Sequence, residues 1–183
     1  MICEIFDDRQ CALGEGPLWH PIRKQLYWFD ITGKKLLSRA TQGSEEWAFP
    51  EETSAAGWID KDSLLIASAT GLWRFDLATS NRKLICPLES SNAVTRSNDG
   101  RADPWGGFWI STMGRAAEPG AGSIYRFYQG QLRRLIGDLT IPNAICFAPN
   151  RSTAYFTDTA KMQIMKTPLD RNGWPSGTAS IFV

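Results

Sequence analysis

Oxygen-bearing side chains recur at one place in this sequence. Glu15, Asn98 and Asn143 each stand six residues before a proline, at Pro21, Pro104 and Pro149. Matching Trp58 to Trp19 puts Ser54 at the same place in a further unit. A ring of carboxylate and amide oxygens is what a hard divalent cation such as calcium or magnesium takes as ligands. No thiol or imidazole joins the set, which argues against copper and against a structural zinc. Arg96, two residues before Asn98, offers a forked cation suited to a carboxylate or a sugar hydroxyl. Asp99 is either a carboxylate supporting the ring from behind or the acid of a turn. The turn alternative covers the whole set, because Gly14-Glu15-Gly16, Asn98-Asp99-Gly100 and Pro142-Asn143 are all good turn sequences.

Such a ring needs a fold that brings equivalent points of a repeat together. Each unit opens near its tryptophan or proline, turns, and continues into an alternating apolar run: Gln25–Asp30, Ser63–Ser68, 107–111 and Thr153–Asp158. A further strand follows in each, at 35–39, 71–75, 123–127 and 163–166, and several add a last short one. The period of roughly 40 to 45 residues is that of a propeller blade. The spacing predicts an all-β chain, a partial β-propeller forming one domain over 1–183, with about four blades near 15–50, 54–90, 98–138 and 143–183. Apolar stripes of helical period are missing, and a β-sandwich is the alternative. In a propeller the first strand of each blade lines the central channel, so equivalent positions converge at one mouth. Four units do not close a comfortable ring, and the chain ends in the strand-like run Ser180-Ile181-Phe182-Val183. A chain that stops before the ring closes is therefore expected, with open blade edges through which it could self-associate.

Composition removes other classes. The 183 residues carry a formal net charge of +1, which argues against nucleic acid or an anionic membrane as partner. No apolar stretch approaches the roughly 20 residues of a membrane span, and the N-terminus lacks a basic start followed by an apolar run. A soluble, cytoplasmic protein is the expectation. Cys3, Cys11, Cys86 and Cys146 include no Cys-x-x-Cys pair and read as buried free thiols. His20, the sole histidine, reads as structural. There is no Gly-x-Ser-x-Gly elbow and no P-loop.

Three ordered motifs also carry a resemblance. Leu13-Gly14-Glu15-Gly16-Pro17-Leu18-Trp19 resembles the opening signature of the regucalcin (senescence marker protein), gluconolactonase and luciferin-regenerating-enzyme superfamily. Residues 97–104, Ser-Asn-Asp-Gly-Arg-Ala-Asp-Pro, with the run to Met113, are similar to its second signature, and 141–149 to its third. The resemblance implies a six-bladed propeller holding one divalent metal, calcium first, with zinc, manganese or magnesium as alternatives. It implies Glu15 and Asn143 as metal ligands, Asn98 as a group binding metal or substrate, and Arg96 as a substrate-binding residue. The family's fourth signature supplies a metal-ligating aspartate that serves as general base, and it is expected beyond Val183. Ala144 departs from the family's usual glycine, which matters if the backbone there needs a positive φ.

The function so implied is metal-dependent hydrolysis of a small-molecule sugar-acid lactone, of the gluconolactonase or arabinonolactonase type, by metal-activated water attacking the lactone carbonyl. The alternatives are a non-catalytic calcium-binding regulatory propeller and an inactive fragment.

Overall fold

The computed structural model describes residues 3–40 and 43–183. Met1 and Ile2 of the N-terminus, and Thr41 and Gln42 of the first expected blade, lie outside them. Among the described residues sixteen strands form four antiparallel sheets of four consecutive strands each. The first holds β1 (Gly14–His20), β2 (Gln25–Asp30), β3 (Lys35–Ala40) and β4 (Gly43–Ala48). The second holds β5 (Thr53–Trp58), β6 (Ser63–Ser68), β7 (Gly71–Asp76) and β8 (Arg82–Pro87). The third holds β9 (Thr95–Ala102), β10 (Phe108–Gly114), β11 (Gly122–Tyr128) and β12 (Gln131–Leu139). The fourth holds β13 (Pro142–Phe147), β14 (Thr153–Asp158), β15 (Gln163–Pro168) and β16 (Ser180–Ile181). The sheets are four blades in a β-propeller arrangement. Their first strands stand side by side, β1 next to β5, β5 next to β9, β9 next to β13.

The core lies between blades. Tyr27, Phe29 and Leu36 of the first blade meet Leu64, Ile66 and Phe75 of the second. Leu72 and Leu88 meet Phe108 and Ile110 of the third. Trp109 and Ile124 meet Ile145 and Phe156 of the fourth. A sheet covered on both sides needs apolar residues at successive positions, which explains why β6 and β10 read as near-continuous buried runs. Each large side chain fully buried here contributes about 1.5–3 kcal/mol. The outermost strands β4 and β8 are mostly exposed.

Polar clips join the same blades. His20 is wholly buried, and its Nε2 lies 2.9 Å from the Asp60 carbonyl while Arg23 N–H donates to Nδ1. A carbonyl can only accept and an amide N–H only donate, so the ring proton sits on Nε2. The histidine is structural, as its neighbours suggested. The cysteines correct an expectation: they are free, but Cys3 and Cys146 are exposed and Cys11 and Cys86 half-buried. Cys146 falls on the open side of β13, where its strand position alternates outward. No helix among the described residues is long and apolar enough to cross a membrane.

Candidate functional site

The site residues sit where the first strand of each blade departs from regular pairing. In β1, Glu15 pairs with Phe29 and Leu18 with Tyr27, so Gly16 and Pro17 bulge out. In β13, Asn143 pairs with Thr157 and Cys146 with Tyr155, so Ala144 and Ile145 bulge. In β9 the bulge takes Asn98 and Asp99, between Ser97 and Gly100. In β5 it takes Ser54 alone. A bulge re-aims the side chains beside it, and recurs in sheets next to functional sites. Glu15 and Asn143 are thus the last paired residues before a bulge, whereas Asn98 is itself a bulged residue. Gly16 and Ala144, the first bulged residues of their strands, have φ of 60° and 57°.

A carboxylate latch seats each end of the arc. Asp30, at the end of β2, accepts N–H bonds from Ala12 and Leu13, just ahead of Glu15, and from Gly33. Asp158, at the end of β14, accepts from Thr140 and Ile141, just ahead of Asn143. Burial pushes the Asp30 carboxyl upward, but its three backbone donors outweigh this and hold it below the ordinary carboxylate range.

Arg96, Asn98 and Asn143 are brought together in one hydrogen-bonded chain. Arg96 Nη1 donates to Ser97 O at 2.8 Å and to Asn98 Oδ1 at 3.0 Å. Asn98 Nδ2 donates to Pro142 O at 3.0 Å and to Asn143 Oδ1 at 2.9 Å. Asn143 Nδ2 donates to Thr159 Oγ1 at 3.1 Å. Glu15 is exposed on β1, one strand beyond β5, and its charge raises the Arg96 pKa slightly against the effect of burial. Ser54 and Ser97 hydroxyls bond each other at 2.8 Å in the wall between. Asp99 turns away from this chain, and its Oδ2 accepts the Ile145 N–H at 2.8 Å, tying β9 to the bulge of β13.

Arg96 is the unusual member. Only 8% of it is exposed, and no carboxylate among the described residues pairs with it within 4.0 Å. Burial is the largest influence on its pKa and lowers it, ahead of the opposing pull of Glu52. A desolvated guanidinium with N–H groups to spare favours an electron-rich ligand. Two residues that sequence reasoning did not assign also stand at this mouth. Arg115, in the turn after β10, pairs with Glu52 just ahead of β5, and Thr159 opens the 3-10 turn Thr159–Lys161 after β14. Their shared signal is position, since each lies next to the end of a second strand.

The oxygens of Glu15, Asn98 and Asn143 fit a hard divalent cation in kind, and each amide oxygen keeps a second lone pair. Among the described residues no group of three His, Cys, Asp or Glu side chains could hold a metal by itself, so any site draws on the amides. The far ends of the strands differ in character from this mouth. There an apolar groove of about 460 Å³, lined by Trp58, Ile59, Ile85 and Phe108, presents no titratable group.

The chain is similar to known proteins in sequence and fold. A calcium-binding regucalcin from Agrobacterium tumefaciens superposes with a TM-score of 0.93 at 43% identity, over 96% of this chain and 61% of that one. An L-arabinolactonase of Azospirillum brasilense is 35% identical over 87% of this chain and 55% of its own length. A 6-deoxy-6-sulfogluconolactonase of Pseudomonas putida is 29% identical over 90% of this chain and 57% of its own. The chain spans just over half the length of the curated relatives it matches. The sequence model of the SMP-30/gluconolactonase/LRE-like region matches residues 13–183, and the chain belongs to that family.

Proposed function

We propose that this chain carries the substrate- and metal-binding arc of a sugar-acid lactone hydrolase that depends on a divalent cation. The observation that carries the reading is the buried, carboxylate-free Arg96 hydrogen-bonded into the Asn98–Asn143 pair. Relatives named as lactonases support the reaction class, and the regucalcin structure named as calcium-binding supports the cation.

Glu15 and Asn143 would hold the cation, with calcium first and manganese, magnesium or zinc as alternatives. When bound, such an ion supplies Lewis-acid polarisation of a carbonyl and a more acidic water. Arg96 donates its remaining N–H groups to the lactone oxygens and sugar hydroxyls, and Asn98 keeps that guanidinium in place. Low exposure of Arg96 strengthens each of these bonds, because the local dielectric is below that of water. The net reaction adds water across the ester C–O bond and releases a hydroxy acid. A cytoplasmic location belongs to the same reading, and cell fractionation tests it.

The reaction is tested by following acid release from a panel of five- and six-membered sugar lactones. Chelator-treated protein is compared with protein given calcium, manganese, magnesium or zinc. Turnover that appears with a cation and disappears with chelator is expected. Equal rates with and without chelator would contradict the metal-dependent reading, and no release from any lactone with any cation would contradict the hydrolase.

A further inference from the structure

The hydrogen bonds at the channel mouth run in one direction. Arginine has no acceptor, so Arg96 Nη1 requires the oxygen of the Asn98 amide to face it. The Pro142 carbonyl has no donor, so it requires the nitrogen at the other end. Turning that amide over would set N–H against N–H on one side and oxygen against oxygen on the other. Asn98 is therefore oriented twice over, and its Nδ2 in turn fixes Oδ1 of Asn143 toward it. What remains of the Asn143 amide is its NH2 group, which ends on the Thr159 hydroxyl.

We infer that Thr159 is a positioning residue for the metal-binding amide. It holds the NH2 end of Asn143 so that the plane of the amide, and with it the second lone pair of Oδ1, stays fixed for a divalent cation. This inference rests on the proposed metal-dependent reading. Thr159 suits the task because its own backbone is anchored independently. Its N–H donates to Ile141 O at 2.9 Å, and its carbonyl accepts from Met162 N–H. The carboxylate of the preceding residue, Asp158, is bound to the segment that leads into Asn143. The Thr159 hydroxyl has no other protein partner among the described residues, and the residue is exposed. Its side chain can therefore be changed with little effect on folding.

The test is equilibrium binding of Mn2+ to metal-stripped protein by calorimetry, for the wild type, Thr159→Val and Thr159→Ser. Valine keeps the shape and removes the acceptor, whereas serine keeps the acceptor. The expected result is about tenfold weaker binding by Thr159→Val, the scale typical of groups that orient metal ligands, with wild-type affinity in Thr159→Ser. Melting of the metal-free proteins is measured alongside, and Thr159→Ala replaces the valine variant if that one melts early. Equal affinity in the wild type and Thr159→Val would overturn the inference and leave the metal site standing. Equal weakening by serine would also overturn it, because the hydroxyl would then be irrelevant. If the wild type binds no Mn2+, both this inference and the metal-dependent reading fail.

Discussion

Gly16 and Ala144 hold the same left-handed bulge position beside Glu15 and Asn143, yet only one of them has room for a side chain. A Cβ on Gly16 would lie 2.2 Å from the Ser54 carbonyl oxygen, so the close approach of two blades requires glycine there. Ala144 is exposed and meets only the conformational cost. Gly16→Ala combines about 1–2 kcal/mol of left-handed strain with about 1–3 kcal/mol of overpacking, a loss of at least about 2 kcal/mol in chemical denaturation. Ala144→Gly relieves the same strain of about 1–2 kcal/mol and gives back about 0.4–1 kcal/mol of unfolded-chain entropy, for a net gain of up to about 1.6 kcal/mol. A variant less stable than the wild type would show that the bulge does not strain alanine. The common offset before three prolines made Glu15, Asn98 and Asn143 legible as a set. It could not show that the bulge of β9 begins at Asn98 itself, because sequence spacing does not reveal where a ladder slips. Thr159 was illegible for a related reason, since its role depends on a hydrogen bond between the turn after β14 and Asn143 of β13.

Among the elements, the turn from β9 into β10 carries the strongest single clamp. Asp103 Oδ2 and Arg126 Nε of β11 pair at 2.6 Å with both side chains fully buried. Tyr128 and Trp174 flank the guanidinium at 4.4 Å each, and Arg126 Nη1 reaches the Asn172 carbonyl of the fourth blade. Asp103→Ala leaves that cation unpaired and is expected to cost about 3–5 kcal/mol; a loss below 1 kcal/mol would show that the aromatic faces suffice without the carboxylate. The Asp30 latch sets an acid limit on the first blade. Its folded-state pKa is depressed, so its contribution is complete above the unfolded carboxylate value, about pH 4, and is lost as pH falls through the lower folded value. The wild type should lose stability below about pH 4 more steeply than Asp30→Asn, and identical acid-unfolding curves would contradict the latch. Most strands were readable because their apolar residues are dense and bounded by Gly and Pro, and β2, β6 and β14 match their expected limits. β4, Gly-Ser-Glu-Glu-Trp-Ala, was not, because an outermost strand with one covered side needs few apolar residues.

At the scale of the molecule, three interblade layers and a shared mouth follow from one repeated unit. We propose in addition that the chain self-associates. Met162, Ile164, Ile181, Phe182 and Val183 are all exposed around the fourth blade, and unpaired edges and apolar patches recruit other chains. Sedimentation should show concentration-dependent association, and a monomer across the whole range would contradict it. The propeller was legible from period alone, since a repeat of blade length admits few other architectures. The proposed function assigns metal-dependent lactone hydrolysis to Asn143 and its neighbours at this mouth. The measurement closest to it is the initial rate of acid release from a sugar lactone in saturating Mn2+, compared between the wild type and Asn143→Ala. Cation-dependent turnover by the wild type and a loss of at least about tenfold in the variant are predicted; a variant that turns over as fast as the wild type would place the chemistry elsewhere.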